Sequence, residues 1–152
     1  MNYKQEIREW MYSEKWDIEA TFTFAKDVTP LQVQNSMRLY WFNVSKCLYR
    51  RALRKHNKRC EQFSFYEMYS DDTNTHCHSI IKLPINRFDD TESYCRYLRN
   101  KWQEMCGRNI IIKITKIRQN QKEWIDYITK DLGKDNCDSL DLHCSFITPK
   151  VS

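Results

Sequence analysis

Apolar and polar residues alternate most clearly in residues 17–26. One side of this segment carries Ile18, Ala20, Phe22 and Phe24, and the other carries Glu19, Thr21 and Thr23. A period of two is typical of a half-buried strand. Strand patterns also occupy residues 62–69, 75–83, 109–118 and 140–148, and the polar residues 70–74 predict a hairpin turn. The isoleucine-rich segment 109–118 predicts a strand deep in the sheet.

Three segments have helical features. Thr29 and Pro30 predict the start of a helix that runs to about residue 57, with Leu39 and Phe42 among its apolar positions. A second helix is predicted from residue 90 to about 106, ended by Gly107, and a third over residues 122–132. The order β-α-β-β-α-β followed by α predicts an α+β fold with a ferredoxin-like or RRM-like antiparallel sheet of about five strands.

Composition narrows the class of protein. The 152 residues are 41% hydrophobic and 14% aromatic, which predicts one folded domain spanning residues 1–152. With only two glycines there is no glycine-rich loop for a nucleoside triphosphate, so the chain is not expected to contain a helicase domain. Seven scattered cysteines without a Cys-x-x-Cys pair argue against a zinc knuckle or a disulfide scaffold. No leader and no apolar run of about 20 residues occurs, so we expect an intracellular protein without a membrane partner.

Positive charge is concentrated in residues 28–60, which contain no aspartate or glutamate. The same segment holds eight basic residues: Arg38, Lys46, Arg50, Arg51, Arg54, Lys55, Lys58 and Arg59. Concentrated positive charge suits a phosphate backbone, and Arg50 and Arg54 are the predicted DNA contacts. A solvated helix face explains the run equally well, so both interpretations stay open here.

Two histidines on a predicted strand form a candidate metal site. Because side chains alternate along a strand, His76 and His78 project from one face while Cys77 points to the other. Glu67 lies on the preceding strand, nine residues before His76, and a tight hairpin brings it to the same face. Two imidazoles and a carboxylate suit Mn²⁺, Mg²⁺, Co²⁺ or Zn²⁺. The alternative is a Glu67 that is simply exposed on an edge strand.

A candidate nucleophile lies in the third predicted helix. Helical spacing places Tyr127, Lys130 and Asp131 on a different face from the apolar Ile125 and Ile128. A phenol ionises near pH 10, so its attack on a phosphodiester at neutral pH requires charge stabilisation. We expect Lys130 and the metal to share that task, with Asp131 anchoring Lys130 or acting as an outer metal ligand.

Taken together, these motifs resemble the HUH endonuclease superfamily, specifically its rolling-circle replication initiator (Rep) branch. His76, Cys77 and His78 are followed by Ser-Ile-Ile-Lys-Leu-Pro, as in the histidine motif of that family. The segment 22–24 (Phe-Thr-Phe) resembles the first motif, and Glu67 matches the upstream acidic ligand. Tyr127 and Lys130, three residues apart, match the third motif. The resemblance spans roughly residues 17–135.

The resemblance implies a single-tyrosine nuclease that uses Mn²⁺ or Mg²⁺. Tyr127 is then expected to form a 5′-phosphotyrosyl link to DNA and to release a 3′-hydroxyl that primes replication, before the reversed reaction rejoins the strand. The expected partner is single-stranded origin DNA with a hairpin or stem-loop, contacted in part by Phe22, Thr23 and Phe24. A helicase is expected to act in trans or as a missing C-terminal domain. The protein is expected in the cytoplasm or in a host nucleus.

Other interpretations remain at this point. Relaxases of the superfamily place the tyrosine before the histidines, whereas Tyr127 follows them here, so chain order disfavours that class. Single-tyrosine transposases keep the observed order and are the nearest enzymatic alternative. A third alternative is a non-catalytic RRM-like module that stacks bases on Phe22, Phe24, Phe63 and Phe65 and grips phosphates with the basic segment.

Overall fold

A computed structural model describes residues 2–25, 27–68, 75–107, 111–118, 120–134 and 139–150. These residues form five helices and four strands. The helices are α1 (Tyr3–Ser13), α2 (Pro30–Tyr49), α3 (Arg51–His56), α4 (Thr91–Cys106) and α5 (Gln121–Ile128). The strands are β1 (Ile18–Thr23), β2 (Gln62–Met68), β3 (Thr75–Ile81) and β4 (Ile112–Lys116). The α+β class is confirmed.

The four strands form one open sheet in the order β2-β3-β1-β4, and all neighbouring strands are antiparallel. The prediction of five strands is wrong for the described residues. Residues 140–148 make only isolated bridges to β2, Phe146 with Gln62 and Leu140 with Phe65. The predicted deep position of residues 109–118 is also wrong, because β4 lies at the sheet edge and buries Ile114 alone.

Each face of the sheet is covered by helices. On the first, which we call the core face, α2 and α4 pack on apolar residues that include Phe22, Cys77 and Ile81. On the second, the site face, α1 and α5 pack on Phe65 and Ile80. Since alternate residues of a strand face opposite sides, β1 and β3 each contribute to both faces. The sheet therefore separates two sets of contacts supplied by the same strands.

Helix α1 was not predicted. It begins at an Asn2 cap, whose side chain accepts a hydrogen bond from the Gln5 amide at 2.9 Å. Met11 is fully buried, and Ile7 and Trp10 are partly buried against the same cluster as α5. The short apolar stripe of α1 is interrupted by charged residues, which weakens the helical pattern in the sequence.

The long predicted helix is divided at Arg50. Its predicted start is confirmed, since Thr29 and Gln32 form a reciprocal capping box. Arg50 has φ 43° and ψ −114° and separates α2 from α3. Two apolar positions of the predicted helix, Leu39 and Phe42, do not pack inward, because both residues are more than half exposed. The helix instead buries a stripe formed by Val33, Met37, Tyr40, Trp41 and Val44.

The predicted hairpin turn at residues 70–74 lies outside the described residues, although the strands on either side pair from Gln62↔Ile81 to Met68↔Thr75. The six described cysteines are free thiols. Within the described part of the chain, no helix is both long and apolar enough to span a bilayer.

Candidate metal centre and tyrosine

The pairing of β2 with β3 assembles the candidate metal ligands. Glu67 lies directly opposite His76, and His78 is one alternate position further along the same strand. All three side chains therefore share the site face. One ligand atom from each of Glu67, His76 and His78 lies within 4.8 Å of the other two. Bonds from such atoms to a divalent cation are roughly 2.0–2.2 Å long, so this spacing is close to that of ligands sharing one ion.

Glu67 is the shared partner of the site. Its Oε2 atom lies 2.6 Å from His78 Nε2 and accepts a hydrogen bond of 3.4 Å from the Tyr127 hydroxyl. Its Oε1 atom accepts a hydrogen bond of 2.5 Å from Lys130 Nζ. Although β2 is an edge strand, Glu67 is only 7% exposed, which argues against the solvated-edge alternative. One carboxylate thus connects the candidate ligands to the candidate nucleophile.

The charges around Glu67 favour a metal-binding protonation state. Burial acts to raise the pKa of Glu67, but hydrogen bonds from Lys130 and His78 outweigh it and hold that pKa below its ordinary range. Burial lowers the pKa of His78 against the opposing effect of Glu67, so its ring is neutral at neutral pH. The hydrogen bond to Glu67 raises the pKa of Lys130, which stays protonated. An anionic carboxylate and a neutral imidazole are the forms that bind a cation.

Thr21 supports His78 from the central strand β1. It pairs with His78 in the sheet, and its Oγ1 atom lies 3.0 Å from His78 Nδ1. A hydroxyl can donate or accept, so it accommodates either tautomer of the ring. If Nδ1 carries the proton and donates it to Thr21, Nε2 is left free to bind a metal. The alternation of β1 indicated that Thr21 shares a face with Thr23, but the pairing to His78 could not be predicted from local pattern.

Tyr127 lies on α5, beside the ligand cluster. Its ring stacks on Trp124 with centroids 5.6 Å apart and packs edge-on to His78 at 5.3 Å. Lys130 Nζ lies 4.4 Å from the centre of the phenol ring. Tyr127 is 43% exposed, so part of the residue faces solvent beside the ligand cluster. Trp124 was not predicted as a site residue, although it lies one turn before the tyrosine.

Lys130 and Asp131 follow α5 rather than belonging to it. The helix ends at Ile128, and the Lys130 amide donates to the Tyr127 carbonyl in a tighter turn. The predicted helix to residue 132 is therefore too long, and Tyr127 lies on the fifth helix rather than the third. The carboxylate of Asp131 pairs with Lys134 at 2.7 Å, while Lys130 pairs with Glu67. The structure thus places Lys130 in the site and does not show Asp131 anchoring it.

Helix α1 holds the end of α5 in place. Arg8 donates to the Thr129 hydroxyl at 2.6 Å and to the Asp126 carbonyl at 2.9 Å. Lys4 donates to the Lys130 carbonyl at 2.7 Å. The Tyr12 hydroxyl donates to the Asp126 carboxylate; burial, with this hydrogen bond, raises the pKa of Tyr12 to about 12 and keeps it a donor. These polar contacts position the segment that carries Tyr127 and Lys130.

The predicted DNA contacts lie in three different places. Phe22 and Phe24 are buried against Trp102 on the core face, which does not support contact of their rings with DNA. Thr23 is half-buried and pairs with His76 on the site face. Arg50 and Arg54 are exposed beside α2 and α3, on the other side of the sheet from the metal ligands. The non-catalytic alternative required bases to stack on exposed phenylalanine rings. Phe65 is fully buried as well, which argues against that alternative.

No model of a known protein family matches the chain. Searches of curated proteins and of solved structures gave no significant match either. The functional interpretation therefore depends on the motifs and on the geometry of this site.

Proposed function

We propose that this protein is a metal-dependent nuclease that nicks and rejoins single-stranded DNA through Tyr127. The observation that carries the proposal is the position of Glu67, which contacts His78, Tyr127 and Lys130 at once. If Glu67 and Lys130 formed only a structural ion pair, a partly exposed tyrosine beside them would not be required. If Glu67 were only a metal ligand, a lysine against the ring of Tyr127 would not be required. The combination suits in-line attack on a phosphodiester.

The residues present account for the main requirements of the reaction. The Tyr127 oxygen forms a bond to phosphorus as the bond from phosphorus to the 3′ oxygen breaks. The phenol gives up its proton to water, and the departing 3′ oxygen takes one up to become a hydroxyl. The Lys130 ammonium, 4.4 Å from the phenol ring centre, stabilises the developing phenolate. Reversal of the same steps rejoins the strand.

Glu67, His76 and His78 fit a divalent cation by donor type and by spacing. When bound, Mn²⁺ or Mg²⁺ supplies a Lewis acid that polarises a non-bridging phosphate oxygen and orients the scissile phosphate. The residues of the chain supply the rest: Thr21 orients His78, and Trp124 supports the Tyr127 ring. Asp131, paired with Lys134, remains a candidate outer ligand in this proposal.

By its motifs, we assign the protein to the single-tyrosine Rep branch of the HUH superfamily, with initiation of rolling-circle replication as its role. The strand order β2-β3-β1-β4 with antiparallel neighbours supports a ferredoxin-like sheet, because that order follows from the split β-α-β connections of such a fold. The substrate is then single-stranded origin DNA presented by a hairpin, with a helicase acting in trans or as a further domain.

The test is covalent capture of DNA. An origin oligonucleotide labelled downstream of the nick is incubated with protein and Mn²⁺, and a labelled protein band is sought on a denaturing gel. Wild type is expected to form a 5′-linked adduct, and Tyr127→Phe to lose it by at least about 1000-fold, since the nucleophile is absent. Tyr3→Phe, at another exposed tyrosine, is the matched control. Equal adduct formation by wild type and Tyr127→Phe would remove Tyr127 from the role of nucleophile.

A further inference from the structure

A basic groove lies on the opposite side of the sheet from the metal ligands. It has a volume of about 650 Å³ and runs between the C-terminal half of α2, helix α3 and the segment before β2. Its lining includes Lys46, Arg50, Arg51, Arg54, Arg59 and Phe42. A helix face that is merely solvated spreads its cations outward, whereas these five converge on a concave surface.

The cations of this basic groove are not neutralised within the protein. Residues 28–60 contain no carboxylate side chain. Among the described residues, none of the five cations lies within 4.0 Å of a carboxylate, and Arg59 donates only to the Asn57 amide oxygen. Elsewhere in the structure exposed cations such as Lys134 and Lys150 do pair with acids. The groove therefore presents a concentrated positive field to a polyanion.

An aromatic ring is exposed within this field. Phe42 is 54% exposed, and neighbouring Leu53 lines the same groove. An aromatic face beside phosphate-binding cations is the combination that single-stranded nucleic acids use, since unpaired bases stack on the ring while cations follow the backbone. A duplex keeps its bases paired and offers the groove phosphates alone.

The backbone at Arg50 gives independent support. Its φ of 43° and ψ of −114° belong to a conformation that glycine adopts easily and a long side chain does not. This residue separates α2 from α3, and Arg51 and Arg54 of α3 line the groove together with Lys46 of α2. An arginine occupies a position where glycine would relieve the strain, which indicates a use for its charge.

We propose that the basic groove binds single-stranded DNA. This inference extends the proposed function: the substrate contacts the protein at the nicking centre and again behind the sheet, on a segment of the strand away from the scissile phosphate. Binding at the groove needs neither the metal nor Tyr127.

The experiment measures binding without nicking. Fluorescence anisotropy with a labelled 30-nucleotide oligothymidylate, in EDTA and over a salt series, compares wild type with Arg51→Glu/Arg54→Glu. Loss of two phosphate contacts is expected to weaken binding at least 10-fold at 100 mM salt and to reduce the salt slope by about 1.4, at roughly 0.7 per contact. Lys15→Glu/Arg96→Glu makes the same change of charge at two exposed positions elsewhere and serves as the control. Equal loss in both double variants would overturn the proposal.

Phe42→Ala separates stacking from charge. It is expected to weaken oligothymidylate binding roughly 10-fold with an unchanged salt slope and an unchanged thermal midpoint, because the ring is exposed. A duplex of the same length is expected to bind more weakly and to be insensitive to Phe42→Ala. If the duplex binds as tightly as the single strand and Phe42→Ala has no effect, the groove is a duplex phosphate site and the single-strand assignment is wrong.

Arg50→Gly sharpens the assignment further. Relief of backbone strain is expected to raise the thermal midpoint while binding weakens. A higher midpoint with unchanged affinity would show that the strained arginine serves no binding purpose. These binding measurements are made in EDTA and do not depend on nicking. Absence of the covalent adduct in the separate assay with Mn²⁺ would overturn the proposed function and leave the binding result intact.

Discussion

The core face and the site face of the sheet are built from alternate residues of the same strands, yet they differ in chemistry. On the core face, Phe22 packs against Trp102 and Tyr40 with ring centroids 4.8 and 5.5 Å apart. On the site face, the neighbouring residue Thr21 meets His78. A shift of one residue in the pairing of β1 with β3 would exchange these sets. The apolar face therefore secures the register on which the polar face depends.

The site face itself has two parts. Toward one end of the strands, Phe65 and Ile80 pack with Ile125 and Ile128 of α5 and hold that helix against the sheet. Toward the other end, the same strands carry Glu67 and His76. Apolar packing thus holds α5 against the sheet. In that position Tyr127, near the end of the helix, and Lys130, just after it, contact Glu67.

The largest effect is expected from Trp102→Ala on the core face. Trp102 is fully buried and contacts Phe22, Phe24 and Tyr40, so truncation should lower the free energy of unfolding by about 3–5 kcal/mol. Urea denaturation followed by circular dichroism measures this. Phe42→Ala, at an exposed aromatic position of α2, should change the same quantity by less than about 0.5 kcal/mol. Similar losses in the two variants would contradict the division between a packed face and an open groove.

A smaller loss of unfolding free energy is expected from Asp141→Asn. Asp141 is a charged residue on the core face. Asp141 is 3% exposed, and its carboxylate accepts hydrogen bonds from Tyr66 and from Arg38. Burial acts to raise the pKa of Asp141, but those hydrogen bonds outweigh it and lower that pKa below its ordinary value. Asp141→Asn should therefore cost about 2 kcal/mol at neutral pH, as for hydrogen bonds to a charged group.

The pH dependence of that difference has a definite sign. Because the folded-state pKa of Asp141 is depressed, its contribution is fully present above the ordinary pKa of 3.8 and is lost as the pH falls through the lower folded-state value. Unfolding free energies of wild type and Asp141→Asn should therefore converge in acid and stay apart near pH 7. A gap that persists unchanged to pH 2 would show that the carboxylate charge is not the source of the stability.

The smallest effect is expected from Thr21→Val on the site face. Valine keeps the shape of threonine but removes the hydroxyl that lies 3.0 Å from His78 Nδ1. Loss of a group that orients a metal ligand should weaken Mn²⁺ binding about 10-fold, or about 1.4 kcal/mol. Isothermal titration of Mn²⁺ measures the affinity, and His76→Ala/His78→Ala should abolish it. Thr115→Val, on the edge strand β4, is a matched control; an equal loss there would remove Thr21 from its orienting role.

Local pattern was sufficient for several parts of the molecule. The alternation in residues 17–26 predicted which side of β1 is buried, and Ile18, Ala20 and Phe22 are indeed in the core. The same reasoning placed His76 and His78 on one face, and the polar stretch at 70–74 predicted that Glu67 lies across from them, as the Glu67↔His76 pairing confirms. The helix starts at Thr29 and Asp90 follow from capping residues that act within one turn.

Local pattern failed where distant residues decide the outcome. Residues 140–148 alternate like a strand, yet they bridge β2 at two isolated positions while Asp141 bonds to Tyr66 and Arg38. Residues 129–132 continue the helical spacing of α5, but the helix ends at Ile128 and Arg8 of α1 donates to the Asp126 carbonyl. In both cases polar side chains of other elements bond to the segment, and in the second case Arg8 occupies a backbone carbonyl that a longer helix would use.

The side chains that share a face can be predicted from sequence, because alternation along a strand and the turn of a helix are properties of neighbouring residues. This reasoning predicted that His76 and His78 share one face of a strand. It also predicted that Tyr127 lies on a different face of its helix from the apolar residues. Three features required the folded chain: the contact of Lys130 with Glu67, the contact of Thr21 with His78, and the position of the basic groove on the far side of the sheet. Strand order and helix docking arise from contacts between residues far apart in the chain, where burial and hydrogen bonding outweigh local preference.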